Sequence, residues 1–416
     1  MSRQILYNAK AIYTVAGGVK HKEQLGQFPI LENGFLVLDD EQITAVGEGS
    51  YDSYVTDTTI LRDLEGKIVT PGFIDPHTHL VFGGSRTAEY ALKLQGVDYL
   101  TILNQGGGIL STVEATRAAS FSSLYERARA TLDEMLACGV TTIEAKSGYG
   151  LDLETERKQL QVVKQLNEDH AIELVATYMG AHAIPKEYAG RTDAYVDFVI
   201  EEVLPLIKKE KLAVFIDLFC EEGIFELDQS RRILEAANKL GFQLKIHADE
   251  IVPLGGAKLA ADCRCVSAEH LMQASDAHLE AMAEAGVCAV LLPTTSFHLG
   301  KSYARAKRMQ ELGVTLAMAT DYNPGSSPCS DLIWAMRIAS RGYHMAPLEI
   351  LTMVTLHAAR AIGKEEQLGS LEPGKQADLV CLDLAQFDDL IVNMGRSPVH
   401  MVIKKGKIVY QRGGIC

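Results

Sequence analysis

Eight short apolar runs recur through the middle of this chain, with helix-like stretches between them. The runs are FIDPHTHL (73–80), TTIEAKSG (141–148), ELVATYMGAH (173–182), VFIDLFCEEG (214–223), FQLKIHADE (242–250), CVSAEHL (265–271), VCAVLLPTTS (287–296) and TLAMATDYN (315–323). Stretches such as SRRILEAANKLG, HLEAMAEAG and ARAKRMQELG separate them, and each ends at a glycine of the kind that terminates a helix. Apolar residues also recur at helical spacing from Glu114 to Cys138 and from Glu154 to Leu166. Eight strands alternating with helices predict a (β/α)8 barrel, with an open doubly wound sheet as the alternative. The insertion between the first two runs, residues 81–137, is longer than one helix and is expected to cover part of any site at the strand ends.

The two ends of the chain have a different texture. ILYNAKAIYTV, FLVLDDEQITAVG and TTILRDLEGKIV are separated by Asn33-Gly34, Asp39-Asp40-Glu41 and Glu65-Gly66, which read as hairpin breaks. ADLVCLDL and HMVIKKGKIVYQRGG, with a Lys405-Gly406 turn, read the same way. Residues 1–66 and 367–416 are therefore expected to pair as one small antiparallel β-sandwich, and residues 67–366 to form the barrel.

Composition narrows the function. A net charge of −14 argues against nucleic acid or an anionic membrane surface as the main partner. No apolar run approaches the roughly 18 residues of a membrane span, and the N-terminus carries no continuous apolar leader core. The eight cysteines are too few for a disulfide scaffold, and most lie inside apolar runs. The cytoplasm is the expected location. A small-molecule substrate remains, and an anionic one needs a locally placed arginine or lysine.

In a barrel of this type, chemistry collects at the C-terminal ends of the strands. There the first run presents His77 and His79, the third His182, the fifth His247 with Asp249 and Glu250, and the sixth His270. The second ends in Lys146, the fourth in Glu221 and Glu222, and the eighth in Asp321 followed by Asn323. If residues 73–79 are extended, His77 and His79 point to the same side and can share one cation. Imidazole suits zinc, iron, copper or nickel, and the pair needs further ligands from elsewhere. One strand-end histidine is an ordinary packed residue; five of the chain's twelve, joined by a strand-end aspartate, are hard to explain by packing.

PGFIDPHTH, a histidine after strands five and six and an aspartate after strand eight resemble the metal-dependent amidohydrolase superfamily. HTHLVFGGSR, QGGGILSTV, KSGYGL, MGAHAIP, KIHADE and ATDYNPGSS are similar to one branch of it. That branch opens the cyclic amide of 4-imidazolone-5-propanoate to N-formimidoyl-L-glutamate in histidine degradation. The resemblance implies that His77, His79, His247 and Asp321 hold one divalent or trivalent metal ion, zinc or iron, with a water in an open position. It implies Glu250, His270 and Asp321 as the catalytic groups. Asp321 would take the water's proton, the metal or His270 would stabilise the oxyanion, and Glu250 would exchange protons with the ring nitrogen. A propionate needs a cation, and Arg86 is the candidate to hold it by two parallel hydrogen bonds. Tyr99 and Tyr149 can add hydroxyl donors, and the resemblance adds His182, Asn323, Gly325 and Ser326 to the substrate pocket, together with Glu250.

Relatives with two metals use a lysine or carboxylate on strand four. Here that strand offers Cys220-Glu221-Glu222 and the lysine lies on strand two, so a single metal is expected, with Glu221 left open as a second ligand. The Gly106-Gly107-Gly108 run lacks the Lys-Ser/Thr of a phosphate loop and reads as backbone packed close to the site. The resemblance also implies a homodimer. Two other readings compete: a purine or pyrimidine deaminase, sharing the metal ligands without needing Arg86, and a metal-free scaffold, whose hallmark would be missing ligands.

Overall fold

The computed structural model describes residues 3–97 and 107–413, so Tyr99 and Gly106 lie outside the described residues. Five strands precede the barrel: β1 (Arg3–Tyr13), β2 (Ile30–Asp39), β3 (Gln42–Glu48), β4 (Ile60–Asp63) and β5 (Ile68–Pro71). The barrel strands are β6 (Phe73–Thr78), β7 (Val140–Lys146), β8 (Glu173–Ala181), β9 (Phe215–Cys220), β10 (Gln243–Ala248), β11 (Ser267–His270), β12 (Cys288–Leu291) and β13 (Thr315–Met318). Then come β14 (Leu379–Leu382), β15 (Val399–Lys404) and β16 (Lys407–Gln411).

Strands β6 to β13 run parallel in chain order, each hydrogen-bonded to the next. The first and last meet through backbone hydrogen bonds: Asp321 N donates to His77 O at 3.1 Å, and His79 N to Tyr322 O at 2.8 Å. Asp75 reinforces the seam by accepting from Thr320 N (3.1 Å) and Thr320 Oγ1 (2.6 Å). The sheet thus closes as a (β/α)8 barrel rather than staying open. The strands end earlier than the apolar runs do, because the last residues of each run turn out to build the mouth. In the seventh run, Pro293 opens a helix, Pro293–Leu299, where its fixed φ and missing N–H are tolerated.

The helices follow their periodicity, with one break. The stretch 114–138 is two helices, Ile109–Ala118 and Phe121–Ala137, because Ser120 caps the second by accepting from Ser123 N. Gly286 and Gly313 end their helices with φ of 73° and 88°, a conformation that costs glycine nothing.

The terminal strands form one sheet in the order β16-β15-β14-β5-β1-β2-β3, with β4 also on β1. Strand β5 joins the two ends of the chain: it runs antiparallel to β14 (Val69 opposite Cys381) and parallel to β1. The sheet is therefore mixed, not wholly antiparallel, since β4 and β5 both run with β1. The turns at Asp40, Glu65-Gly66 and Lys405-Gly406 occur as expected, all at positive φ. Asn33-Gly34 is no turn: β2 passes straight through it, and Asn33 takes φ 49° opposite an irregularity in β1.

A buried ionic clamp fastens this sheet to the barrel. Lys404 Nζ donates to Asp378 Oδ2 (2.7 Å), Glu173 Oε2 (3.1 Å) and Thr142 Oγ1 (3.2 Å), and Lys364 reaches Glu173 Oε1 at 2.7 Å. Glu173 is partly desolvated by burial, yet Lys404 and Lys364 hold its carboxyl down at about 2. A depressed carboxyl contributes stability above its unfolded pKa and loses it as pH falls through the folded one. Lys404→Met is expected to cost about 3 kcal/mol in urea unfolding, since it leaves buried carboxylates unpaired. The stability of Glu173→Gln should fall less than the parent's between about pH 4.5 and pH 2, read by thermal unfolding across that window.

Candidate functional site

The seam that closes the barrel also assembles the site. It sets His77 and His79 on the end of β6 against Asp321 just beyond β13, so that Asp321 Oδ1 lies 3.3 Å from His77 Nε2 and 3.6 Å from His79 Nε2. His247, on β10 across the mouth, brings its ring centroid to 4.7 Å from that of His77 and 5.7 Å from that of His79. One ligating nitrogen from each of these three buried histidines lies within 4.8 Å of the other two. His77 Nε2, His79 Nδ1 and both ring nitrogens of His247 are buried without a hydrogen-bond partner. Unsatisfied buried nitrogens are costly, and a cation shared among them removes that cost, so the donor set fits a metal ion.

The electrostatics agree. Burial, followed by neighbouring lysine and histidine charges, holds His77 and His79 well below the usual imidazole range. Burial likewise pushes His247 down to about 3 against the pull of Asp217. All three are neutral at pH 7, as metal ligation requires. Asp321 is raised to about 6 by burial, and Thr295 Oγ1 donates to its Oδ2 at 2.6 Å, leaving Oδ1 toward the histidines. Asp321 and His270 both take positive φ, 53° and 69°, a strain of about 1–3 kcal/mol each that concentrates at functional sites.

A cavity opens directly above. Arg86, Tyr149, His182, Glu250, Asn323 and Ser326 line it together with His79, His247, His270 and Asp321. Gly325 belongs to the same wall: a Cβ there would lie 1.9 Å from Arg86 Nη1, so a larger residue would push the guanidinium out of its place. The guanidinium is itself oriented by Glu89, which accepts from its Nε and Nη2. Asn323 Oδ1 accepts from Gly325 N and Ser326 N, both at 2.8 Å, which shapes that loop. His182 stacks on His79 at 4.9 Å and 13°, and its Nδ1 donates to Gly148 O at 3.0 Å, leaving Nε2 as an acceptor. His270 Nε2 lies 3.4 Å from Glu250 Oε2, and burial, then Glu221, raises Glu250 to about 7.

Buried carboxylates pin the loops that carry these groups. Glu156 accepts from Gly148 N, Gly150 N and Leu151 N, which fixes Tyr149 between them. Glu221 accepts from Ile251 N and Val252 N at 2.9 and 3.1 Å, so both its oxygens already hold the loop bearing Glu250. Asp249 accepts from Gly255 N, Gly256 N and Ala257 N on the other side of that loop.

The sequence reading passed over several residues. Ile109 and Phe219 line the cavity, and Glu144, Asp217, Lys245 and Glu269 lie fully inside the barrel beneath it. Lys146, read as a strand-end group, is also fully buried, with Nζ 2.8 Å from both Glu144 and Asp217. The signal was present as charges two residues apart on a strand, Glu144 with Lys146 and Lys245 with His247, which share one face.

The residues 68–409 match the family model described as the amidohydrolase family. The chain is 49% identical over 402 residues to an imidazolonepropionase of Alkaliphilus oremlandii, covering 96% of this chain and 95% of that one. Among solved structures, a triazine hydrolase variant superposes with a TM-score of 0.78 at 20% identity, covering 99% of this chain and 95% of the other. The guanine deaminase of E. coli gives 0.74 at 16%, covering 99% and 100%. The chain belongs to the amidohydrolase family. At this level of identity, extending over nearly its whole length, it groups within that family with the imidazolonepropionases.

Glu156→Ala should cost about 3 kcal/mol in urea unfolding, because three buried N–H groups lose their acceptor. Hydrogen exchange at residues 148–151 should quicken while the exchange of β10 is unchanged.

Proposed function

We propose that this chain hydrolyses the ring amide of 4-imidazolone-5-propanoate, giving N-formimidoyl-L-glutamate. The observation that carries the reading is one cavity with a three-histidine, one-aspartate cluster at its floor and an arginine on its wall. The relatives named imidazolonepropionase support it.

One metal ion, zinc or iron, fits His77, His79, His247 and Asp321, since three nitrogens and an oxygen suit both. When bound, such an ion acts as a Lewis acid and lowers the pKa of water from 15.7 to about 7. The remaining roles belong to the chain. Asp321 accepts the proton of the water that attacks the ring carbonyl carbon. His270 stabilises the oxyanion that forms there. Glu250, protonated below about 7, gives its proton to the ring nitrogen as the carbon–nitrogen bond breaks. Arg86 holds the propionate, and Tyr149, His182, Asn323, Gly325 and Ser326 enclose the ring and tail. Tyr99, in the insertion and outside the described residues, is assigned to the same pocket as a further hydroxyl donor. The same reading includes a homodimer and a cytoplasmic location; no helix among the described residues is long and apolar enough to cross a membrane.

The test is loss of the ultraviolet absorbance of the imidazolone substrate, with and without a chelator. Turnover should require metal, and His247→Ala should abolish it. Arg86→Ala should raise KM by about 10–100-fold with kcat little changed, consistent with about 1.5–3 kcal/mol for a charge-assisted hydrogen bond. Unchanged KM removes the propionate clamp, and activity on guanine or cytosine that ignores Arg86 favours the deaminase reading. With Glu250 as the proton donor, kcat falls as pH rises through about 7, and the fall is absent in Glu250→Gln.

A further inference from the structure

Directly behind the histidine cluster, the barrel interior holds five fully buried charged residues: Glu144, Lys146, Asp217, Lys245 and Glu269. Two of them reach the backs of the cluster's imidazoles. Glu269 Oε2 lies 2.9 Å from His77 Nδ1, and Asp217 Oδ2 lies 3.1 Å from His247 Nδ1. The other three hold these two in place. Lys146 Nζ bridges Glu144 Oε2 and Asp217 Oδ2, each at 2.8 Å, and Lys245 Nζ lies 2.8 Å from Glu144 Oε2 and 3.8 Å from Glu269 Oε1. Ser267 Oγ donates to Glu269 Oε1 at 2.5 Å, and Leu218 N donates to Asp217 Oδ1 at 2.7 Å. Neither carboxylate can swing away from its histidine.

We propose that Asp217 and Glu269 are positioning residues for the metal centre: each lies against Nδ1 of one ligand histidine, Glu269 by a hydrogen bond and Asp217 by an ion-pair contact, and so leaves that histidine's Nε2 to face the cluster. The geometry distinguishes this from charge balance alone. His77 is held at Nδ1 and its Nε2 is buried, unpartnered and 3.3 Å from Asp321 Oδ1, so the lone pair faces the cluster. His247 Nε2 is likewise unpartnered, and its Nδ1 contact with Asp217 is within ion-pair distance but not aligned as a hydrogen bond. For His79, the third, no carboxylate among the described residues lies within ion-pair distance of Nδ1, and its ring stacks on His182. Such partners fix the tautomer and raise ligand basicity, and losing one typically costs about 10–100-fold in metal affinity.

The inference rests on the metal reading above, and its test separates the two. The full-length protein, stripped with a chelator, is titrated with Zn2+ against a chromophoric competitor, and the Tm of the stripped protein is measured in parallel. Asp217→Ala and Glu269→Ala should each weaken zinc binding by about 10–100-fold. Asp217→Asn and Glu269→Gln lose the same charge but keep an acceptor oxygen, and should lose clearly less. If Asp217→Ala leaves Lys146 too poorly paired to fold, the double variant Asp217→Ala/Lys146→Met removes that ammonium as well and should bind zinc as weakly as predicted for the single one. Equal losses in the alanine and amide variants, or zinc affinity within twofold of the parent in all of them, overturn the positioning role. A parent that binds neither Zn2+ nor, in a parallel anaerobic titration, Fe2+ overturns the metal reading and this inference together.

Discussion

Two backbone hydrogen bonds, between residues 77–79 and 321–322, close this barrel and create its site in the same step. They join the first strand to the last, which are about 240 residues apart in the chain. Until that seam forms, His77 and His79 have no aspartate beside them, and Asp321 has no reason to adopt a left-handed backbone. Asp75, whose burial raises its pKa to about 7, is committed to the seam through Thr320. The strain at Asp321 is thus sustained by closure of the sheet, a global property, and not by local sequence preference.

Burying so many polar groups is unfavourable unless each finds a partner. The chain meets this demand with carboxylates that accept from backbone or from lysine. Glu156, Glu221 and Asp249 organise the loops, Glu89 orients Arg86, and Glu144 bridges the two interior lysines. Among the described residues, the ring nitrogens left unsatisfied at the mouth belong to His77, His79 and His247. A site that is over-determined everywhere except at its centre is the arrangement expected of a preorganised metal centre.

Much of this was legible from residue order. Alternating runs and glycine-ended helices specify a barrel, because strand and helix periods differ and helix stops are local chemistry. The strand-end histidines and Asp321 stood out because polar residues interrupt apolar runs there. Other features were hidden for physical reasons. Asn33-Gly34 has turn chemistry, yet cross-strand pairing on both sides carries β2 through it. The helix break at Ser120 depends on a single cap within a continuous apolar stripe. Glu221 was left open as a second ligand because it ends a strand, and only the path of the next loop reveals that two N–H groups donate to its two oxygens. Asp217 and Glu269 sit mid-run among apolar neighbours, where their partners, Lys146, Lys245 and two histidines, come from other strands.

The central claim is that three imidazoles from β6 and β10 and a carboxylate after β13 surround one ion. X-ray absorption at the metal edge of the purified protein reads that shell directly. The account predicts three imidazole nitrogens at about 2.0–2.1 Å, with oxygen ligands completing the shell. Fewer than three imidazoles, or a sulfur at about 2.3 Å, would contradict it.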